Sequence, residues 1–408
     1  MPGTELFGAE ERKEVNDVLE TGILFRYNHD NLRNGHWKTR EFEAEIAKFT
    51  GAKYAHCVSS GSTAVATAMA ACGIGAGDEV IVPPFTYVAT IEGALLGGAL
   101  PVFAEIDETL CLSPEGIRKA ITPKTKAVVV VHMCGSMAKI EEIVQICKEH
   151  NLLLIEDTAQ ALGASYKGKS AGTFGQMGCF SFDFFKIITC GEGGAIVTDD
   201  ERLYHLAEQF SDHGHDHIGD NRGMEKHPIV GFNYRMGEIN AAIGLAQIRK
   251  IDFILAQQRK HKKILQNTLA QFDVVSFRHI PDEQGDAATF MDFFLPDEAT
   301  TRKVLQALRE EGVGELTGIQ YWWDNQYHYI RNWEHIRGLK TPMKTVAHLL
   351  GTPQNYENLD IPQSNNLISR LISLVVKVTW TEEQLQTLCK RIEKALQKAL
   401  AQTYLSKQ

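Results

Sequence analysis

Short apolar runs rich in β-branched residues recur through the first 250 or so residues of the chain. They fall at Val80 to Val82, Pro101 to Phe103, Ala127 to Val131, Leu152 to Ile155 and Ala195 to Thr198. Stretches with a helical period lie between several of them: Ser62 to Ala71, Tyr87 to Leu96 and Ile140 to His150. Repetition of strand, helix and strand predicts an α/β unit, a sheet with helices on both faces. Runs that stay apolar throughout belong to strands buried on both faces, so the sheet is expected to be mostly parallel. From Ile239 to Thr268 the pattern reads as one long helix, the bridge to a second unit. That unit reads as a smaller α+β domain. It has strands at Phe290 to Leu295 and Ile372 to Val378, a helix at Thr300 to Gly312 and a closing helix at Thr381 to Ala401. The closing helix begins TWTEEQL, the spacing of a capped start. The expected division is a large domain over residues 1–250 and a small C-terminal domain over residues 251–408.

Composition narrows the class of function. The 408 residues are 44% hydrophobic and 23% charged, values of an ordinary globular protein. A formal charge of −9, with no basic stripe to offset it, argues against a nucleic-acid surface. The start, MPGTELFGAEERKEV, lacks the basic and apolar regions of a signal peptide, and AVVVVHMC is far too short to span a bilayer. Eight scattered cysteines with no CxxC pair fit buried thiols in a reducing, cytoplasmic setting.

Three segments can carry chemistry. In SSGSTAVATAMAACG, from Ser59, a Gly-containing turn opens into a helix whose first amides and hydroxyls form an anion site; a plain Ser/Thr cap explains this segment alone equally well. In LLLIEDTAQALGA an apolar strand delivers Glu156 and Asp157 to its C-terminal end, where open α/β sheets put ligand-contacting groups. A carboxylate there is costly without a cation or several donors, and a protonated heteroaromatic nitrogen would supply one. In FSFDFFKIITCGEGGAIVTDD, Lys186 lies among Phe184, Phe185, Ile187 and Ile188. Desolvation favours the neutral amine, the nucleophile for imine formation, although a snorkelling edge lysine is the plainer reading. An anion cradle, a strand-end acid and a desolvated lysine together are what pyridoxal 5′-phosphate (PLP) requires. By contrast, Gly73-Ile-Gly75-Ala-Gly77-Asp78 follows a helix and precedes a strand, the reverse of a dinucleotide fingerprint, and reads as a turn. The alternating His213, His215 and His217 in SDHGHDHIGD lack supporting cysteines or a paired-carboxylate motif, and no metal is expected there.

The chain resembles the sugar aminotransferases of the aspartate-aminotransferase fold (fold type I), the DegT/StrS-type enzymes. The resemblance is carried by SSGSTA, GDEVIVPPFTYVAT, VVHMCG, IEDTAQALGASYKGKSAG, SFDFFKIITCGEGGAIVTDD and GFNYRMGEINAAI, and runs from about Glu41 to Ile254. It implies that Ser62 and Thr63 hold the cofactor phosphate, with a further bond from Ser181. Tyr87 would stack on the pyridine face, Asp157 pair with the ring nitrogen and Gln160 contact the ring hydroxyl. Lys186 would hold PLP as a Schiff base and then shuttle the proton. Asn233 would reach the phosphate of a neighbouring subunit, which implies a homodimer with shared sites. Some relatives carry histidine in place of the lysine and dehydrate instead; Lys186 places this chain with the aminotransferases.

Two departures concern the substrate. Asp183-Phe184-Phe185 stands where the family usually has His-Pro or similar, and FRYNHDNLRNGHWK, from Phe25, is longer than usual. The expected reaction moves an amino group, from glutamate, onto a keto- or aldehyde-sugar. The expected acceptor is a free eight-carbon sugar acid, giving 8-amino-3,8-dideoxy-manno-octulosonate for lipopolysaccharide; a nucleotide-linked keto-sugar is the alternative. A nucleotide diphosphate calls for several cations and a sugar acid for one or two, and Arg26, Arg33, Lys38, Arg40, Arg222 and Arg235 are the candidates.

Overall fold

A computed structural model describes residues 2–219 and 221–405. Its seven-stranded sheet is built from β1 (Tyr54–Val58), β2 (Glu79–Val82), β3 (Leu100–Phe103), β4 (Thr125–Val131), β5 (Leu153–Asp157), β6 (Met177–Ser181) and β7 (Gly194–Thr198), in the spatial order β1-β7-β6-β5-β4-β2-β3. The neighbours from β6 through β5, β4 and β2 to β3 are parallel, while β7 runs antiparallel between β6 and β1. The expected mostly parallel sheet is therefore present, and every residue of β2, β3, β6 and β7 is buried. Strand β1 carries no β-branched run: YAHCV has one valine, and only its packing reveals it as a strand.

Helices α1 (Ala9–Thr21), α2 (Lys38–Thr50), α3 (Gly61–Ala71), α4 (Ala89–Leu96), α5 (Ile140–Glu149) and α6 (Glu201–Phe210) belong to this part of the chain. The expected single helix over Ile239 to Thr268 is two helices, α7 (Glu238–Ile248) and α8 (Ile251–Leu269), broken at Arg249 and Lys250. The corner is tied down by α1: Lys250 Nζ lies 2.6 Å from Glu11 Oε1 and Arg249 Nη1 2.8 Å from Glu14 Oε1. The apolar period runs on through the corner, so the pattern carries no mark of it.

A second, wholly antiparallel sheet has the order β8-β9-β11-β10, from β8 (Ser276–Phe277), β9 (Phe290–Phe294), β10 (Ile319–Gln320) and β11 (Leu371–Val375). Helices α9 (Glu298–Glu310) and α10 (Glu382–Leu405) follow β9 and β11. The start of α10 is the anticipated capping box: Gln384 N–H donates to Thr381 Oγ1 at 3.2 Å, and Thr381 N–H to Gln384 Oε1 at 3.0 Å. Edge strand β3 is closed off by the later chain. The Gln354 amide takes both backbone groups of Phe103, at 2.7 and 2.9 Å, and the Tyr356 hydroxyl donates to Pro101 O. An edge covered in this way cannot pair with another strand. Among the described residues no helix is long and apolar enough to cross a membrane. All eight cysteines are free, six of them buried.

Candidate active site

The candidate residues gather at one edge of the large sheet. Asp157 ends β5 and Ser181 ends β6, Ser60 follows β1, and Gly194 opens the reversed strand β7 at the same edge. This is the carboxyl edge of the parallel strands, where helix starts and strand ends converge.

Glu156 and Asp157 are neighbours with opposite tasks. The Glu156 carboxylate accepts hydrogen bonds from the Gly172, Phe174 and Gly175 amides, at 2.8, 2.6 and 2.7 Å, and from His132 Nε2 at 3.0 Å. The Ala138 amide donates to His132 Nδ1 at 3.2 Å, so that nitrogen carries the lone pair and the neutral ring donates through Nε2. Glu156 is thus fully occupied in holding the loop after β5. Asp157, equally inaccessible, has two donors only: Thr90 Oγ1 at 2.8 Å, itself bonded to Thr86 Oγ1 at 2.9 Å, and the Ala159 amide at 3.1 Å. Burial pushes its carboxyl above the usual range, against the pull of those bonds and of the Lys186 charge. It keeps free acceptor capacity, and no cation among the described residues forms a salt bridge with it.

Lys186 follows β6 through a turn in which its amide donates to Asp183 O at 3.0 Å. Burial lowers its ammonium below the ordinary lysine range, with Asp183 and Asp157 pulling the other way. The phenylalanines expected to surround it do not. Phe184 and Phe185 are 53% and 66% exposed and meet edge to face at 5.2 Å, because the turn throws them outward; only Ile187 and Ile188 are buried. The apolar face toward Lys186 comes from elsewhere. Its Nζ lies 5.9 Å from the centre of the Tyr87 ring, and the Tyr87 ring lies 5.5 Å from that of His328. Among the described residues no hydrogen bond or ion pair holds Nζ.

The turn before α3 has the form of an anion cradle. Ser60 caps the helix: its Oγ accepts from the Thr63 amide at 3.1 Å, and Thr63 Oγ1 accepts from the Ser60 amide at 2.9 Å. The Thr63 hydroxyl expected for a phosphate is therefore engaged in the cap, whereas Ser62 is exposed. The Gly61 and Ser62 amides, in the first turn, have no intrahelical acceptor. A side chain at Gly61 would come within 2.6 Å of Ser181 Cβ, and one at Gly194 within 2.3 Å of Ser60 O, so the cradle forms only with glycine at both places. Gln160 is buried, its Oε1 accepting from the Cys134 amide at 3.1 Å, which leaves its NH₂ group to donate. Tyr87, 43% exposed, offers one ring face. Asn233 is exposed beside the Asp212 bridge, away from bonds to the groups above. Cradle, buried acid, free amine and open ring face together fit a phosphorylated pyridine aldehyde.

Sequence reasoning missed Thr90 and His328. Thr90 had no distinguishing signal. His328 lies in the aromatic tract Tyr321 to Trp333, YWWDNQYHYIRNW, whose composition is the most unusual in the second half of the chain. Residues 327–330 lie along the Tyr87 segment like an added strand, with Thr86 N–H donating to His328 O at 3.0 Å, Val88 N–H to Tyr327 O at 3.1 Å and Ile330 N–H to Pro84 O at 2.9 Å.

Five of the six candidate cations are engaged within the chain. Arg26 pairs with Glu43 at 2.7 Å, Arg33 with Glu238 at 3.5 Å, and Lys38 with Glu14 and Asp17 at 2.5 and 2.8 Å. Arg222 and Arg235 both hold the buried Asp212. Arg40, exposed, lies 3.7 Å over the Trp37 ring. The histidines at 213–217 are engaged likewise: His215 Nδ1 is 2.8 Å from Glu225, and the His217 ring stacks on Tyr27 at 4.6 Å. No cluster of metal-ligating side chains occurs among the described residues.

Comparison with known proteins identifies the family and the fold. The profile of the DegT/DnrJ/EryC1/StrS aminotransferase family matches residues 7–393. A GDP-perosamine synthase of Vibrio cholerae is 41% identical over 261 residues, 64% of this chain and 68% of that protein. The aminotransferase from Psychrobacter cryohalolentis superposes with a TM-score of 0.82 at 26% identity, over 96% of this chain and 98% of that one. The E. coli GDP-4-keto-6-deoxy-D-mannose-3-dehydratase, solved with bound hydrated PLP, shares the fold at a TM-score of 0.78 and 23% identity, over 95% of this chain and 97% of that one.

Proposed function

Because the chain belongs to the DegT/DnrJ/EryC1/StrS aminotransferase family and is a PLP-dependent sugar aminotransferase, we propose that it transfers an amino group from L-glutamate to a nucleotide-linked keto-sugar at the Lys186 site. The observation that carries the reading is a pair of opposite groups at one sheet edge, the half-buried Lys186 and the buried Asp157, neither in a salt bridge among the described residues. Bound there, PLP supplies an electron-accepting ring. The residues then divide the work. Lys186, its ammonium destabilised by burial, would hold the aldehyde carbon and then carry the proton between the two carbons that exchange the amine. Asp157, short of donors, holds positive charge at the ring nitrogen, and Thr90 orients it. Tyr87 covers one ring face, and Gln160 donates to the ring hydroxyl. Ser62, Thr63 and Ser181 with the first-turn amides bind the phosphate, Thr63 mainly through its cap.

The same reading assigns the large PLP-binding domain to residues 1–250, the small one to 251–408, and Asn233 to the site of a partner copy. In support, Val230 and Phe232 beside Asn233 are 88% and 55% exposed. Co-expression of Lys186→Ala and Asn233→Ala chains, each inactive alone, is expected to restore part of the activity; none in verified heterodimers returns Asn233 to its own chain.

A second reading keeps the free eight-carbon sugar acid, with lipopolysaccharide as the destination of the amine. It is favoured by the internal pairing of five of the six candidate cations, which leaves little positive charge for a diphosphate. One assay separates the two. The PLP-loaded enzyme is mixed with GDP-perosamine or with 8-amino-3,8-dideoxy-manno-octulosonate, and the cofactor absorbance is followed. Conversion by GDP-perosamine alone upholds the nucleotide reading; conversion by the sugar acid alone replaces it.

A further inference from the structure

The aromatic tract that follows β10 places His328 against Tyr87, the ring that Lys186 faces, and no cofactor role accounts for it. Asn325 Oδ1 accepts from the Tyr327 amide at 2.9 Å, so this atom is the carbonyl oxygen of the side chain. It also lies 2.9 Å from His328 Nδ1, which must therefore carry the proton. In the neutral imidazole the lone pair then lies on Nε2, which has no partner among the described residues. Burial and the nearby Lys186 charge depress its protonation to about 3, in agreement with that tautomer.

The ring is seated rigidly. Its main chain is bonded to the Tyr87 segment, and the ring meets Trp322 edge to face at 4.8 Å. Trp322 is anchored by a buried relay: its Nε1 donates to Ser373 Oγ at 2.7 Å, Ser373 donates to Asp292 Oδ1 at 2.5 Å, and Arg278 donates to Asp292 Oδ2 at 3.1 Å. Arg278 in turn donates to Thr109 O, in the part of the chain that forms the large sheet. A relay this long and this buried fixes the position of a ring that the cofactor does not need.

We propose that His328 is a specificity-determining residue of the amino-acceptor site, its Nε2 accepting a hydrogen bond from an acceptor hydroxyl on a carbon next to the one that gains the amine. This deepens the reading of Lys186 as the transamination site and rests on it. A lone pair at that position selects a donor. A hydroxyl satisfies it, whereas a carboxylate or phosphate oxygen is repelled, so the anionic part of the substrate must lie elsewhere. A site built to hold a hydroxyl discriminates against an analogue without one, because the acceptor loses its partner where the bound sugar excludes water.

The test compares the two half-reactions of the PLP-loaded enzyme in wild type, His328→Phe and His328→Gln. The probes are L-glutamate on one side and, on the other, whichever of GDP-perosamine and 8-amino-3,8-dideoxy-manno-octulosonate the wild type converts. Phenylalanine is expected to lower kcat/KM for the amino sugar about tenfold, at least about fivefold more than for glutamate, and glutamine to regain part of the loss. Equal losses in both half-reactions overturn the proposal and leave His328 a packing residue. If neither amino sugar is converted, the substrate reading of the proposed function is what fails. The imidazole is then tested by ¹⁵N NMR of the chain without cofactor. An Nδ1–H ring that stays neutral down to pH 5 upholds the free acceptor; an Nε2–H tautomer, or titration between pH 6 and 7, removes it.

Discussion

Two charged regions of this molecule are built on opposite rules. In the loop around Asp212, close to the segment from Phe25, each carboxylate meets a cation: Asp212 takes Arg222 and Arg235, Glu43 takes Arg26, and Glu238 takes Arg33. At the carboxyl edge of the sheet, Asp157 has two neutral donors, and Lys186 Nζ has no acceptor among the described residues. Both regions hold ionisable groups away from water. The first satisfies them within the chain, and the second leaves them for something the chain does not contain. Buried charge alone therefore does not mark a functional site; buried charge without a partner does.

Four changes break or sharpen this contrast. Lys186→Ala has the largest expected effect, a loss of transamination of at least about 10⁴-fold, since imine exchange needs the amine that this residue supplies. The thermal midpoint should hold or rise, because a desolvated, unpaired amine is removed. Borohydride reduction of the loaded wild type followed by peptide mapping checks the assignment: a pyridoxyl group on any other lysine refutes it.

Asp157→Asn keeps the shape but not the charge, and kcat is expected to fall about 100-fold, or about 2.7 kcal/mol in barrier, with the cofactor still bound. A kcat within about threefold of wild type rules out the electrostatic role. In the paired region the reverse pattern is expected. Asp212→Ala, which leaves two guanidiniums unpaired, should cost about 2 kcal/mol of stability after allowance for their partial exposure. Denaturant unfolding measures this. A loss of glutamate half-reaction without a loss of stability would place Asp212 in the wrong region.

The smallest effect concerns pH. Burial lowers His217 from 6.5 to about 4 in the folded chain. Between those values the unfolded chain binds the proton and the folded chain does not, so stability falls as pH drops from 6.5 toward 4. His217→Gln is expected to lose less stability than wild type between pH 7 and 5, by under about 1 kcal/mol once solvent screening is counted. Thermal midpoints at the two pH values show it; parallel losses in both chains dismiss the histidine as a source.

The departures of sequence from structure follow the same division. Asp157 and Lys186 were legible because a charged residue at the end of an apolar strand, or beside one, is conspicuous in a linear pattern. Glu156 looked the same in the sequence and proved saturated, since its donors come from residues 172–175 and from His132 on another strand. Five of the six cations looked available because their carboxylate partners lie outside the local pattern, from Arg222 and Asp212, 10 residues apart, to Arg33 and Glu238, some 200 apart.

The local pattern by itself determined the α/β sheet, the helix caps at Ser60 and Thr381, and the order of phosphate turn, acid and lysine. Each of these is set by a period or a spacing within a few residues, on which burial and backbone hydrogen bonding act directly. Only the tertiary structure decided which groups are left unpaired. It broke the long helix at Arg249, turned Phe184 and Phe185 outward, engaged the cations, and brought His328 beside Lys186. The reason is that pairing and desolvation depend on what lies across space. A residue reveals its chemistry in the sequence, but whether that chemistry is spent on the fold or kept for a ligand is settled only by its neighbours.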